Sequence, residues 1–464
     1  MKKFDYKAEI IRPDIINELI ENNTNKSSID DILNKALKLK GLDLDESARL
    51  LNIDNEEDAE KMFHAAKQLK EIIYGNRIVL FAPLYAANVC TNNCLYCGFR
   101  HDNQEITRCV LTPDEVAEEA KAIMNLGHKR IVLLTGEDYK ETGLDYLKEC
   151  IDKIYKAKVF NGEIRRINVN IAPLSVEDFK RLDSFGIGTY QLFQETYNEE
   201  VYKYVHPSGK KSNYRWRLEA MDRALEAGMH DVGIGPLFGL TDYRFETLAT
   251  LMHSHHLDAK FGIGPHTISV PRIEPAKGVT FSENPPEKID EFTFKKIVAV
   301  LRLSVPYTGI ILSTRETPSL RKALCDLGAS QISAESRVNP GGYSVHKESD
   351  SQFTMSDNRS LDEIVKALIN DGYTPSFCTA CYRKGRIGKD FMDLAKPGLI
   401  KKFCQPNAIS TLAEYLYDYA SDETKTNGLN FIEKQIAETE NPALQSQLTD
   451  MIAKVAAGER DVYN

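Results

Sequence analysis

The chain has 464 residues, 42% of them hydrophobic, and a formal net charge of −9. This length leaves room for a barrel of about 250 residues with additions. The acidic balance and scattered basic residues argue against a nucleic-acid partner. No apolar run approaches about 18 residues and the start lacks a signal peptide, which argues against a membrane and favours a cytoplasmic location.

The first 76 residues predict an N-terminal helical arm. Met62, Phe63, Ala66 and Leu69 recur at the spacing of one helix face. Gly75 follows this run and is typical of a helix C-cap. We expect the arm to pack on the domain that follows.

Residues 77–343 alternate short apolar runs with amphipathic helical segments. Thr112-Pro113 and Thr317-Pro318 predict helix starts. Repeated β-α units form a parallel sheet, and eight of them close into a barrel. We therefore predict an α/β fold, a full (β/α)8 TIM-type barrel. The predicted strands are 78–82, 131–135, 167–172, 187–193, 232–235, 261–270, 309–313 and 331–334.

Nine cysteines are present, and six of them form two groups that suit metal binding better than disulfides. Cys90, Cys94 and Cys97, spaced C-x3-C-x2-C, directly follow the first predicted strand. Three thiolates can bind three irons of a 4Fe-4S cubane and leave the fourth iron open. A structural zinc loop is the alternative, although zinc prefers C-x2-C pairs and four ligands.

A second trio, Cys378, Cys381 and Cys404, lies in the region 344–464. Its C-x2-C-x22-C spacing again provides three thiolates and predicts an auxiliary 4Fe-4S cluster. A zinc site that recruits a distant histidine remains the alternative. We predict that 344–464 is a largely helical C-terminal domain that binds this cluster.

The first cysteine motif, with an aromatic residue before its last cysteine, resembles the radical S-adenosylmethionine (SAM) superfamily. In that family the open iron chelates SAM, and the reduced cluster cleaves SAM to a 5'-deoxyadenosyl radical. The resemblance implies a set of SAM-binding residues that individually could be core or turn residues. They are Tyr96 against the adenine, Thr135, Gly136 and Glu137 at the amino group, and Glu195 and Arg217 at other polar groups.

Three stretches, 83–85, 312–316 and 333–343, resemble the aromatic amino acid lyases of this superfamily. In that group the arginine matching Arg315 pairs with the substrate carboxylate, which suits a guanidinium. The resemblance places Tyr85 near the substrate amine and Ser333 or Ser336 in the pocket wall. Each of these residues alone could instead have a surface or capping role.

The second cysteine trio resembles the hydrogenase-maturase branch of these lyases. That branch implies cleavage of tyrosine to p-cresol and dehydroglycine (2-iminoacetate), then conversion of the fragment to CO and cyanide for the hydrogenase H-cluster. It also implies a labile fifth iron on the auxiliary cluster, bridged by a free cysteine and held by His266. A low-potential reductant and transient contacts with other hydrogenase maturation proteins are implied too. His253, His255 and His256 are predicted to face solvent on a helix.

Two other functions remain open. A 2-iminoacetate synthase of thiamine thiazole biosynthesis would keep the tyrosine lyase step, and its tail cluster would be structural. A non-enzymatic iron-sulfur scaffold or electron carrier would not cleave SAM.

Overall fold

The computed structural model describes residues 4–22, 25–344 and 351–464. Residues 1–3 and 23–24 of the predicted arm and 345–350 of the predicted C-terminal domain lie outside the described residues. No helix in the described part is long and apolar enough to cross a membrane.

A closed barrel of eight parallel strands organises the structure, as predicted. Strand β1 pairs with β2 on one side and with β8 on the other, and the strands between them pair in chain order. The strands are β1 (Arg77–Ala87), β2 (Arg130–Thr135), β3 (Arg166–Asn170), β4 (Tyr190–Gln191), β5 (Val232–Ile234), β6 (Thr267–Ser269), β7 (Gly309–Leu312) and β8 (Gln331–Ser333).

Helices cover the outside of the barrel, and their sequence signals are confirmed. Thr112 caps its helix, because its Oγ1 accepts from the Glu115 N–H at 3.3 Å and the Glu115 carboxylate accepts from the Thr112 N–H at 2.7 Å. The helices between strands are α5 (Pro113–Asn125), α6 (Leu144–Lys156), α7 (Val176–Asp183), α8 (Glu199–Val205), α9 (Tyr214–Leu218), α10 (Ala220–Glu226), α11 (Tyr243–Phe261), α12 (Thr280–Glu283), α13 (Glu291–Ser304) and α14 (Pro318–Leu327).

The N-terminal arm consists of α1 (Pro13–Asn22), α2 (Ile29–Ala36), α3 (Leu44–Leu51) and α4 (Glu56–Tyr74), which pack on α11 and α13. Helix α4 ends at Gly75 with φ 66°, as predicted. This arm explains why the solvent-facing assignment of the α11 histidines was wrong. His253 and His256 are only 3% and 2% exposed, and His255 is half-buried beside Tyr6, because the barrel and the arm cover both sides of α11.

Two predicted strands are shorter than expected. Within 187–193 only Tyr190–Gln191 is strand, and within 261–270 only Thr267–Ser269. The second difference arises because α11 continues to Phe261 and ends at the left-handed Gly262. An apolar run does not by itself distinguish the end of a buried helix from a strand.

The C-terminal region is largely helical, but it also adds a ninth strand that the sequence did not predict. Strand β9 (Thr374–Ser376) pairs in parallel with the beginning of β1, and Arg77 lies opposite Thr374. Cys378 follows β9 directly and therefore lies at the amino-terminal end of the barrel. The helices are α15 (Leu361–Asn370), α16 (Ala380–Arg383), α17 (Gly388–Ala395), α18 (Lys401–Asp418), α19 (Asp422–Ala437) and α20 (Pro442–Ala456).

Two buried ion pairs that share Glu414 attach α18 to the barrel. Arg165 Nη1 lies 3.0 Å from Glu414 Oε2, and Lys129 Nζ lies 3.5 Å from Glu414 Oε1. All three side chains are less than 5% exposed. Burial alone would raise the pKa of Glu414, but its bonds to Arg165 outweigh burial and lower that pKa.

We expect Glu414→Gln to reduce the free energy of unfolding by about 3–5 kcal/mol, because it leaves the buried Lys129 without its paired carboxylate and leaves Arg165 with only Glu163 and Asp461. The loss should shrink at acid pH, since a carboxylate with a lowered pKa stabilises the fold above its usual pKa and loses that effect as pH falls through the lowered value. Urea titrations at several pH values measure this.

Glu423→Gln is the matched control, since Glu423 pairs with Lys366 at 3.0 Å on the surface. Its loss should stay below about 1 kcal/mol. Equal losses in the two variants would contradict a stabilising role for the Glu414 cluster.

Candidate functional site

The first cysteine trio lies on the loop after β1, at the carboxyl-terminal mouth of the barrel. Cys94 is buried, Cys90 and Cys97 are half-buried, and none forms a disulfide. All three line one cavity of about 210 Å³, which we call the upper cavity. Burial raises the pKa of Cys90 to about 11, and burial also raises the pKa of Cys97. A metal centre that binds the thiolates would offset this cost, so the trio fits a cluster.

The predicted element Thr135-Gly136-Glu137 lies against this loop. The Thr91 N–H donates to the Glu137 carbonyl at 3.1 Å. A Cβ at Gly136 would lie 2.1 Å from the Val89 carbonyl oxygen, so only glycine allows the two backbones to approach this closely.

A buried network joins the three charged residues that were predicted to bind SAM. Glu137 accepts from Arg217 Nη1 at 2.9 Å and from Asn92 Nδ2 at 2.8 Å. Glu195 accepts from Lys211 Nζ at 2.6 Å, and Arg217 Nη2 lies 3.6 Å away. Burial alone would raise the pKa of Glu137, but Arg217 and Lys211 outweigh it and lower that pKa. Sequence reasoning missed Lys211, since a lysine in a polar loop carries no local signal.

Glu195 adopts a left-handed backbone with φ 72°. This conformation is costly for a residue with a Cβ and persists only where the surroundings impose it. The Leu237 N–H donates to the Glu195 carbonyl at 2.7 Å, and the following Tyr197 N–H donates to the buried Glu246 carboxylate at 3.0 Å. These contacts direct the Glu195 carboxylate into the cavity.

Tyr96 lies beside an apolar cluster that contains Val205, Leu237, Leu240 and Ile273. Its hydroxyl lies 2.8 Å from His206 Nε2. Burial lowers the pKa of His206 to about 2, so this imidazole is neutral. An apolar wall with one aromatic ring suits a flat ligand such as a nucleobase.

The opposite wall of the cavity carries the residues predicted to bind substrate. Arg315 is held by Phe353, whose ring centre lies 3.5 Å from the guanidinium carbon, and by the Arg272 carbonyl at 3.1 Å from Nη1. Ser336 is 2% exposed, and its Oγ has no partner among the described residues. Tyr85 and Ser333 also line the cavity.

Residues 351–357 belong to the C-terminal region and lie across the carboxyl-terminal mouth of the barrel. The Gln352 N–H donates to the Val338 carbonyl at 2.9 Å, and the Thr354 N–H donates to the Pro275 carbonyl at 2.8 Å. Phe353 and Gln352 thereby enter the cavity wall. Sequence reasoning missed both, because they follow the barrel and match no motif.

The second cysteine trio lines a smaller cavity of about 50 Å³ at the opposite end of the barrel, which we call the lower cavity. Cys378 follows β9, Cys381 lies on α16, and Cys404 lies on α18. A hydrogen bond from the Cys404 thiol, together with Arg386, lowers the pKa of Cys381. The three elements converge although 22 residues separate Cys381 from Cys404.

Arginines surround this lower cavity. Arg130 Nη2 donates to the Cys378 carbonyl at 2.8 Å. The buried Nε atoms of Arg77, Arg130 and Arg386 have no hydrogen-bond partner among the described residues. Guanidinium groups with spare donors suit an anionic occupant, and a cluster bound by three thiolates is one.

His266 lies in the same cavity. Its ring packs 4.4 Å from that of Phe391, and its Nδ1 lies 3.5 Å from Asp231 Oδ1. The Gly388 N–H donates to Asp231 at 3.2 Å. The structure therefore brings together the second trio and the histidine predicted to bind a fifth iron.

Within the described residues, no three His, Cys, Asp or Glu side chains converge on a point that would hold a single metal ion. Cysteines that bind a cubane each bind a different iron, so they need only surround the cluster. The geometry of both trios is compatible with that arrangement.

Family models match two parts of the chain. The Radical SAM superfamily matches residues 84–252, and the Biotin and Thiamin Synthesis associated domain matches 269–374. Among curated proteins, the 2-iminoacetate synthase of Salmonella typhimurium (strain LT2) is 31% identical over 342 residues, which span 74% of this chain and 88% of that protein.

Solved structures extend the likeness to the C-terminal region. A crystal structure of HydG, described as a maturase of the FeFe-hydrogenase, is 46% identical, with a TM-score of 0.94, over 98% of this chain and all of that one. HydG from Carboxydothermus hydrogenoformans is 44% identical, with a TM-score of 0.85, over 97% of this chain and all of that one. The chain is therefore an enzyme of the radical SAM superfamily and belongs to its HydG family of FeFe-hydrogenase maturases.

Proposed function

We propose that this enzyme cleaves tyrosine to p-cresol and 2-iminoacetate in the upper cavity and converts the fragment to CO and cyanide in the lower one, for H-cluster assembly. The observation that carries the proposal is the position of the two cysteine trios at opposite ends of one closed barrel, each with its own cavity. A low-potential reductant and transient contacts with other hydrogenase maturation proteins complete the proposal.

In the upper cavity, Cys90, Cys94 and Cys97 would hold a 4Fe-4S cluster that, with SAM bound, supplies a radical able to remove hydrogen from the tyrosine amine. Glu137, Glu195 and Arg217 would bind the polar groups of SAM, since they already form one buried network at this cluster loop. The pairing of these charges holds them in place before a ligand enters.

Arg315 would bind the tyrosine carboxylate. Its guanidinium already stacks on Phe353 and uses one Nη atom on the Arg272 carbonyl, so it is oriented and other donors remain for a bidentate pair. Tyr85 and the unpartnered Ser336 hydroxyl would contact the substrate. Residues 351–357 would exclude water and so protect the hydrolysable imine.

The fragment would pass through the barrel to the lower cavity. On β8, Ser333 lines the upper cavity and Gln331 the lower one, so about 7 Å of strand separates them. The intervening layer is polar, since Thr267 Oγ1 and Gln191 Nε2 are buried there without a hydrogen-bond partner among the described residues. Such a layer suits a small polar fragment.

In the lower cavity, Cys378, Cys381 and Cys404 would hold the auxiliary 4Fe-4S cluster, with a fifth iron at His266 bridged by free cysteine. That cluster would supply iron to which CO and cyanide bind. The arginines of this cavity would attract an anionic fragment. The ThiH-type 2-iminoacetate synthase of thiamine thiazole biosynthesis is the second candidate, favoured by the 31% identity to such an enzyme.

We expect Cys90→Ala, Cys94→Ala and Cys97→Ala each to abolish both SAM cleavage and p-cresol formation, because three thiolates are needed to leave one iron open. Chromatography of 5'-deoxyadenosine and p-cresol measures both products. Cys150→Ala is the control, since Cys150 is a fully buried free thiol on α6, outside both cavities. Turnover by any variant of the trio would contradict the radical site.

We expect Arg315→Lys to weaken tyrosine binding by about 2–5 kcal/mol, because lysine keeps the charge but loses the bidentate fit. Tyrosine titration of the cluster-loaded protein measures this, with Arg217→Lys in parallel. If tyrosine affinity falls only in Arg217→Lys, the roles of these two arginines are exchanged.

We expect replacement of both Cys378 and Cys381 by Ala to preserve p-cresol formation and to abolish CO, because the two cavities lie at opposite ends of the barrel. A haemoglobin assay detects CO, and infrared spectra detect iron-bound CO and cyanide. CO at the parental rate in this variant would leave the ThiH-type synthase as the function.

A further inference from the structure

Gln352 joins a predicted substrate residue to a predicted cluster ligand. Its side-chain Oε1 accepts from the Tyr85 hydroxyl at 2.7 Å, and its Nε2 donates to Cys97 Sγ at 3.6 Å. One amide therefore bridges the two. Neither the cysteine motif nor any of the stretches 83–85, 312–316 and 333–343 contains this residue.

The backbone holds Gln352 firmly at this point. Its N–H donates to the Val338 carbonyl at 2.9 Å, and its carbonyl accepts from the Gly98 N–H at 3.3 Å. Gly98 directly follows Cys97, and a Cβ there would lie 2.6 Å from the Gln352 carbonyl oxygen. The glycine after the third cysteine thus admits the backbone of Gln352 to the cluster loop.

Tyr85 holds the oxygen end of the Gln352 amide. Its ring packs edge-on against Phe99, with 5.8 Å between the ring centres, so its hydroxyl has little freedom. A cluster-bound thiolate can only accept, so the amide nitrogen is the end that faces Cys97, and the amide oxygen accepts from the Tyr85 hydroxyl.

A hydrogen bond to a cluster sulfur has an electronic effect. An N–H donor stabilises the extra negative charge of the reduced cluster more than the oxidised one, and therefore raises the reduction potential. Donors to cluster sulfurs are among the protein's main means of setting this potential.

We propose that Gln352 is a positioning residue that donates to Cys97, orients this ligand and raises the reduction potential of the SAM-binding cluster, with Tyr85 holding its amide in place. The proposal rests on the proposed function, since it requires Cys97 to bind a cluster. It assigns to the C-terminal region a direct part in the radical site.

The first test is a potentiometric titration of the reduced SAM-binding cluster, followed by electron paramagnetic resonance. Gln352→Met has nearly the same length and no donor, so its midpoint potential should be more negative than that of the parent. Tyr85→Phe should shift the potential less and in the same direction, because the Gln352 amide remains but is free to turn. Thr354→Val, at an exposed side chain of the same segment, should leave the potential unchanged.

An unchanged potential in a cluster-loaded Gln352→Met protein would overturn the inference and leave the proposed function intact. Failure of the parent to bind a cluster through Cys97 would instead refute the proposed function.

The second test needs no folded variant. Parent protein labelled with ¹⁵N only in glutamine side-chain amides should show hyperfine coupling of one such nitrogen to the reduced SAM-binding cluster in pulsed electron paramagnetic resonance. Absence of this coupling in cluster-loaded parent protein would overturn the proposal, whether or not Gln352→Met folds.

Discussion

The pairing of strand β1 is the constraint on which the rest of the structure depends. It closes the barrel between β2 and β8, and its beginning also pairs with β9. The first cysteine trio follows its carboxyl-terminal end, and the second trio follows β9 at its amino-terminal end. Strand β1 runs about 33 Å from Arg77, which lines the lower cavity, to Ala87, just before the first trio. Both cysteine trios are therefore positioned by β1, but each trio lines its own cavity.

The two cavities differ in their electrostatics, and the difference matches the chemistry proposed for each. In the upper cavity Glu137 and Glu195 face Arg217 and Lys211, so charges of both signs are paired and can bind a zwitterionic ligand such as SAM. The lower cavity has several guanidinium groups, one of them already on the Cys378 carbonyl, with Asp231 held by His266 and Gly388. Its excess of donors suits anions instead.

The C-terminal region contributes to both ends of the barrel. Strand β9 and α18 bring the second trio beneath it, while residues 351–357 close its upper mouth and place Phe353 against Arg315. The buried Glu414 attaches α18 to Arg165 and Lys129 on the barrel. A domain boundary drawn after the last barrel strand therefore separates residues that line one cavity.

The sequence by itself determined the features that depend on local spacing. Both cysteine trios, the helix starts at Thr112 and Thr317, and the eight-strand barrel could be read from motifs and periodicity, because thiolate spacing, capping and strand alternation act over a few residues. Arg315 and Glu195 were indicated by the family resemblance rather than by spacing, and both line the upper cavity.

Only the tertiary structure decided the rest. Lys211, Gln352 and Phe353 reach the upper cavity because distant segments fold back on the cluster loop. Strand β9 exists because β1 offers it an edge, and His253 and His256 are buried because the barrel and the N-terminal arm cover them. Burial and long-range hydrogen bonding depend on which segments meet in space, and no short window of sequence contains that information.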